Sequence, residues 1–314
     1  MKIVFMGTPE FAIPSLKRLF ESDHKIAAVV SAPDKERGRG KQISSTPVKQ
    51  FAVQNNIEVL TPFDLNDESF ISRLKELDAD LFIVVAFRIL PKKVYSIPKR
   101  GSFNLHGSLL PKYRGAAPIQ WALINGDKET GVTTFFLEDK VDTGNIIIQQ
   151  RMEIDEYDDF GSLHDKMMIA GADVVIKTVE LIENGHVNVS KQNNELASPA
   201  PKITKEICRI DWNKSALEIH NLVKGLSPYP CAYFIHGGKS YKVYKTSIVD
   251  SIDLINEILL KENSQSCLKE GKFSTFNSQL FAGTGSGILQ LFELQPEGRK
   301  RMTSEEFLRG YSLI

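Results

Sequence analysis

Cysteine is scarce and scattered. Cys208, Cys231 and Cys267 are the 3 in 314 residues, and no two form a CxxC pair. That spacing supports neither a disulfide framework nor a zinc site and fits a reducing compartment. A surplus of either charge is lacking too: 39 basic residues balance 39 acidic ones. No overall field commits the protein to nucleic acid or to a membrane surface, so any nucleic-acid contact must come from local patches. No apolar run approaches the ~20 residues that cross a bilayer. The chain opens on an apolar strand, which predicts no signal or transit peptide and a cytoplasmic protein. The first strand-to-helix turn, Gly7-Thr8-Pro9-Glu10-Phe11, has no GxGxxG, and no acidic residue closes the second strand. A nicotinamide or flavin site is therefore not expected.

What is present is the composition of a globular chain long enough for two domains, with 42% hydrophobic and 25% charged residues. Lys2 to Met6 reads as a buried strand. Thr8 and Pro9 then offer an N-cap and first-turn proline for a helix with Phe11, Leu16, Leu19 and Phe20 inward. Ile26 to Val30 closes a βαβ unit, and helices near 47–55 and 69–77 with a strand at 57–60 continue the alternation. The fold class expected is α/β with a Rossmann-like, mostly parallel sheet. Leu81 to Ala86, the most apolar strand, belongs at its centre. Ligands in such sheets bind outside the carboxyl ends of the strands. After a long helix from Phe160 to Gly185, a polar stretch reads as a linker. Beyond it, short β-rich runs separated by Gly237-Gly238 and by Gly283 to Gly287 read as a small β-barrel.

The rest of the chain is organised around Phe103 to Trp121, FNLHGSLLPKYRGAAPIQW. Its first four residues alternate apolar and polar, so they form a strand that puts Asn104 and His106 on one face. Gly107 breaks the strand, and a loop rich in Pro, Gly, Tyr and Arg follows. A carboxamide and an imidazole together at a strand end suit chemistry at a carbonyl. The amide can donate to an oxyanion, and the imidazole can donate or move a proton near neutral pH. The same residues also fit a satisfied strand histidine beside a connector.

Two further segments read two ways. The loop from Asp34 to Pro47 carries Lys35, Arg37, Arg39 and Lys41 with two glycines. It is either a solvated surface loop or a finger that contacts phosphates. Asp142-Thr143-Gly144, between strands at 132–137 and 146–152, is either turn chemistry or a carboxylate delivered to the pocket to orient His106.

The run from Asn104 to Pro118, with Val141-Asp142-Thr143-Gly144 after it, resembles the signature of the folate-dependent formyltransferases. So do Gly7 to Ala12, the Pro33 to Lys41 loop, Leu90 to Val94, Ile124 to Thr133, Arg209 to Trp212 and Ser227 to Pro230. The basic loop and the carboxyl-terminal region favour the branch that acts on aminoacylated initiator tRNA. The resemblance implies a catalytic domain over 1–189, a linker over 190–205 and an OB-like carboxyl-terminal domain over 206–314. It implies formyl transfer from 10-formyltetrahydrofolate to the α-amine of tRNA-borne methionine, by a monomer without metal. Asn104, His106 and Asp142 would be the catalytic trio, and Phe87, Arg88, Ile89, Leu90, Ser108, Leu109, Leu110 and Pro111 would line the folate site. Lys35, Arg37, Arg39, Lys41, Lys202, Lys205 and Arg209 would meet tRNA, although those of the second domain also fit ordinary surface charge. One segment departs from the pattern: Ala86-Phe87-Arg88-Ile89-Leu90-Pro91 is a residue shorter than is usual there and lacks the glycine. An amino-sugar formyltransferase shares the trio and differs in acceptor, and a non-catalytic tRNA-binding protein of the same fold is the other alternative.

Overall fold

The apolar runs assemble as expected in a computed structural model, which describes residues 1–37, 42–262 and 268–313. Arg39, Lys41 and Cys267 lie outside the described residues. The chain forms two compact units that interleave along the sequence. The first comprises Met1–Pro118, Glu129–Glu153 and His164–Pro201; the second comprises Ile119–Lys128, Ile154–Leu163 and Lys202–Ile314.

The chain runs through β1 (Lys2–Gly7), α1 (Ile13–Phe20), β2 (Lys25–Val30), and a short hairpin of β3 (Lys35–Arg37) and β4 (Gln42–Ser44). Then come α2 (Pro47–Gln54), β5 (Val59–Leu60), α3 (Glu68–Glu76), β6 (Leu81–Val85), α4 (Lys92–Tyr95) and β7 (Ser102–His106). β8 (Arg114–Gly115), α5 (Pro118–Ile124), β9 (Glu129–Phe136), β10 (Ile146–Glu153), α6 (Phe160–Glu183) and β11 (Pro199–Ala200) follow. The seven-stranded sheet of the first unit has the order β10-β9-β7-β6-β1-β2-β5. It is parallel from β7 to β5, and β9 and β10 add to it antiparallel. β6 is the middle strand and all five of its residues are buried, as a strand covered on both faces requires.

Local chemistry sets the helix starts. Thr46 caps α2, accepting from the backbone N–H of Lys49 ahead of Pro47, and Asp67 caps α3 by accepting from Ser69 and Phe70. The first helix differs from expectation. A 3-10 turn at Glu10–Ala12 precedes α1, Thr8 caps nothing, and Phe20 is 42% exposed rather than inward. Phe20 instead sets its ring edge-on to Phe51 of α2. Part of the stretch read as a linker is hydrogen-bonded to other elements. Ser190 exchanges backbone hydrogen bonds with Ile146, and β11 pairs with β8, so residues through Pro201 pack into the first unit.

The second unit continues with α7 (Ala216–Leu226), β12 (Ala232–His236), β13 (Lys239–Ile248), α8 (Ile252–Lys261), β14 (Phe273–Phe276), β15 (Gln279–Gly283), β16 (Ile288–Pro296), β17 (Met302–Thr303) and α9 (Ser304–Leu308). Its sheet is antiparallel, ordered β12-β13-β16-β15-β14, with β17 on β16. Gly237 and Gly238, both at positive φ, make the two-residue turn between β12 and β13. Three helices went unread in the sequence, although Ser215 with Glu218 and Thr303 with Glu306 form capping boxes that announce two of them. Cys208 and Cys231 are free and buried here, and burial pushes both thiols up from their ordinary range.

His220 of α7 shares a hydrogen bond of 2.9 Å with the Thr246 hydroxyl. Burial, followed by the nearby charges of Lys224 and Lys128, lowers its pKa from 6.5 to about 4. The unfolded chain therefore takes up this proton first as pH falls. Stability is unaffected above about pH 6.5 and declines between there and about pH 4. His220→Gln is expected to reduce that decline, as read from thermal melts at pH 7 and pH 4.5. An unchanged difference between the two melts would show that His220 carries none of it.

Candidate active site

β7 delivers Asn104 and His106 to one face, two residues and so about 7 Å apart along the strand. Phe103 and Leu105 are buried on the other. Asn104 lies between Val84 of β6 and Phe135 of β9 in register, and His106 lies opposite Thr133. Asn104 is half-buried, and among the described residues no side chain or backbone group takes up its carboxamide.

His106 is 6% exposed, with its ring edge-on to Phe135. Its Nε2 lies 2.8 Å from the Tyr113 carbonyl oxygen. A carbonyl only accepts, so Nε2 carries a proton and donates it there, which fixes the tautomer. The nitrogen left for chemistry is Nδ1, and it faces Asp142 Oδ2 at 3.8 Å. That same carboxylate oxygen accepts from the backbone N–H of Gly115 at 2.9 Å. Asp142 sits in the left-handed region, at φ 56°, in the loop between β9 and β10. The loop joins β9 to β10, yet its carboxylate reaches a β7 residue on the far side of β9. Imidazole and carboxylate, remote in sequence, therefore converge.

The loop after His106 is held by the sheet. The Thr133 hydroxyl donates to the Ser108 carbonyl at 2.6 Å and accepts from the Leu110 N–H at 3.2 Å. Gln149 Nε2 donates to the Leu110 carbonyl at 2.8 Å. Among the expected folate-lining residues, Ser108 is fully buried and gives its hydroxyl to the Lys112 carbonyl. Leu110 packs with Phe135 and Ile146, while Leu109 and Pro111 keep part of their surface. Phe87, Arg88, Ile89 and Leu90 follow the carboxyl end of β6. Arg88 donates to the carbonyls of Pro62 at 2.7 Å and Phe63 at 3.0 Å, and burial pulls its guanidinium below the ordinary range. Leu90 is buried and Ile89 is 74% exposed.

The expected tRNA residues fall in both units. Lys35 and Arg37 lie in β3 of the first, whereas Lys202, Lys205 and Arg209 are exposed in the second. Lys205 and Lys242 line a cavity of ≈ 280 Å³. Arg209 lines one of ≈ 540 Å³ together with Glu206, Asp211 and Glu270, a setting more acidic than basic. Among the described residues no cluster of His, Cys, Asp and Glu could hold a metal ion, and no helix is long and apolar enough to cross a membrane.

Sequence reasoning missed Thr133, Gln149, Arg114 and Gln192. Arg114 lay inside the central stretch but registered only as loop composition. Gln192 sat in a polar segment whose composition carries no sign of burial.

The formyl transferase family profile matches residues 1–179, and its carboxyl-terminal domain profile matches 202–312. The chain is 44% identical to a methionyl-tRNA formyltransferase of Flavobacterium johnsoniae, over 99% of this chain and 96% of that one. It is 42% identical to the Clostridioides difficile protein of the same name, over 100% of this chain and 98% of that one. Among solved structures, WlaRD, a sugar 3N-formyl transferase crystallised with dTDP and 5-N-formyl-THF, aligns with a TM-score of 0.67 at 22% identity. That alignment covers 96% of this chain and 99% of WlaRD. HypX from Aquifex aeolicus in complex with tetrahydrofolic acid aligns at 0.62 and 16% identity, over 99% of this chain and 48% of HypX. At such identities these two likenesses speak to fold alone. Full-length identity above 40% and two matched family profiles show that the chain belongs to the methionyl-tRNA formyltransferase family.

Proposed function

We propose that the protein moves the formyl group of 10-formyltetrahydrofolate to the α-amine of methionine on charged initiator tRNA, through Asn104, His106 and Asp142. The observation that carries this reading is the 3.8 Å approach of Asp142 Oδ2 to His106 Nδ1 beside the unclaimed carboxamide of Asn104. The amine attacks the formyl carbon, forming the new C–N bond, and negative charge gathers on the formyl oxygen. The Asn104 carboxamide and protonated His106 Nδ1–H are the donors for that oxygen. Asp142, whose Oδ2 faces His106 Nδ1, takes the proton released by the amine through water. The bond from the formyl carbon to the folate nitrogen then breaks, and that nitrogen leaves with the proton the amine released, returned from Asp142 through water. The folate lies against Leu109, Pro111 and the backbone of Phe87 to Leu90. The reaction belongs to translation, so the cytoplasm is its place.

The relatives above 40% identity favour tRNA over a sugar acceptor, because the sugar enzyme is similar only at 22%. The test offers 10-formyltetrahydrofolate with charged initiator tRNA or with a nucleotide-linked amino sugar. Formylation of the tRNA alone is expected, and formylation of the sugar alone would overturn the reading. In the same assay Arg39→Ala is expected to raise the KM for charged tRNA several-fold and leave folate affinity unchanged. An equal fall in folate affinity would count against a phosphate-contacting finger.

A further inference from the structure

Gln192 is 5% exposed, and all of its hydrogen-bonding capacity is committed at the site. Its Nε2 donates to the carbonyl of Asp142 at 3.0 Å and to that of Gly144 at 2.8 Å. Its Oε1 accepts from Arg114 Nε at 3.1 Å and Nη2 at 2.7 Å. A carboxamide has two N–H donors and two acceptor sites, and here all four are used. Two carbonyls at one end and two guanidinium N–H groups at the other leave only one orientation of the amide. Around it, Arg114 Nη2 also donates to Asn194 Oδ1 at 2.9 Å. The backbone N–H of Arg114 donates to the Ser198 carbonyl at 2.8 Å, and that of Tyr113 donates to the Ser198 hydroxyl at 2.9 Å.

These bonds join two loops that each supply one side of the His106–Asp142 contact. On one side are Tyr113, whose carbonyl takes the His106 Nε2–H, and Gly115, whose N–H holds Asp142 Oδ2. On the other is the Asp142-Thr143-Gly144 turn, both of whose flanking carbonyls are gripped by Gln192. We propose that Gln192, anchored by Arg114, is a positioning residue that sets the Asp142 carboxylate against His106. The inference rests on the reading of Asp142 as part of the catalytic set. Gln192 touches neither reacting group, and its effect passes through the backbone of the turn.

Gln192→Glu keeps the size of the side chain and replaces both donated N–H groups with an oxygen facing two carbonyls. The expected result is a 10- to 100-fold fall in kcat, as misplacement of a catalytic group by about 1 Å produces, with the KM for charged tRNA and for 10-formyltetrahydrofolate unchanged. Gln192→Ala removes the donors without adding charge and is expected to give the same split, so the test stands if one variant folds poorly. The deciding comparison is made in an Asp142→Asn background. If Gln192 acts through Asp142, adding Gln192→Glu there costs little further turnover. A full kcat in Gln192→Glu, or an equal fall in both backgrounds, would overturn the positioning role. Wild-type turnover in Asp142→Asn alone would instead remove the reading on which it rests, and the two failures are thus distinguishable.

Discussion

Asn104→Ala is expected to fold like the parent and to lose about 10²–10³ in turnover, the usual effect of removing one oxyanion donor. The two halves of that expectation have separate physical grounds. Stability is spared because the carboxamide is half-buried and takes no partner among the described residues, so truncation orphans no buried group. The backbone of Asn104 stays in β7 between β6 and β9 whatever the side chain. Turnover suffers because a donor held ready at a strand end is worth most when charge develops at the formyl oxygen, and water replaces it poorly. The loss is expected in kcat more than in KM, since the donor meets its partner chiefly in the transition state. Melting temperature and single-turnover rate, measured on one preparation, check both halves. A near-normal rate, or a collapse of the fold, would each contradict the assignment.

Gly144→Ala is expected to have an effect of similar size from the opposite cause. A Cβ at Gly144 would lie 1.7 Å from the Phe136 carbonyl oxygen and 3.3 Å from Phe135 Cδ2. The first of these is backbone of β9 and cannot turn aside, so the loop must move. Relief by strain alone costs about 1–3 kcal/mol or more, and relief by displacement lifts the turn that carries Asp142. Displacement also breaks the bond from Gln192 to the Gly144 carbonyl. The variant is therefore expected to melt several degrees lower and to lose about 10²-fold in kcat. Retention of both would show that the turn can adjust without moving its carboxylate. Gly115 is under a related constraint: it has φ 127°, and a Cβ there would lie 2.6 Å from the Ala200 carbonyl oxygen.

What the sequence disclosed and what it withheld follow from how each feature is encoded. Period-two alternation at Phe103 to His106 and the unbroken apolar run at Leu81 to Val85 are local patterns, so the paired polar residues and the central strand were legible without coordinates. Asp142 was readable only as one of two possibilities, because nothing within the Asp-Thr-Gly turn specifies that it will reach past β9. The Rossmann-like alternation ends at β9, which pairs antiparallel with both β7 and β10. Gln192 was invisible because its value lies wholly in long-range partners, 78 residues away at Arg114 and 50 at Asp142. The His106 tautomer was likewise beyond the sequence, since a backbone carbonyl seven residues on decides it. The capping boxes at Ser215 and Thr303 were the reverse case, local and legible, and were passed over in favour of the surrounding β pattern.

The interleaving of the two units bears on any attempt to dissect the protein. The backbone passes from one unit to the other five times, at the boundaries near 118, 128, 153, 163 and 201. Stopping translation after Pro201 would keep every member of the proposed trio together with Gln192. It would also leave α5 without the carboxyl-terminal core against which Ile124 packs, and Gly161 without Ser227, whose carbonyl accepts its N–H. No single scission releases a self-sufficient catalytic half, and a minimal version would have to redesign two excursions of ten residues each.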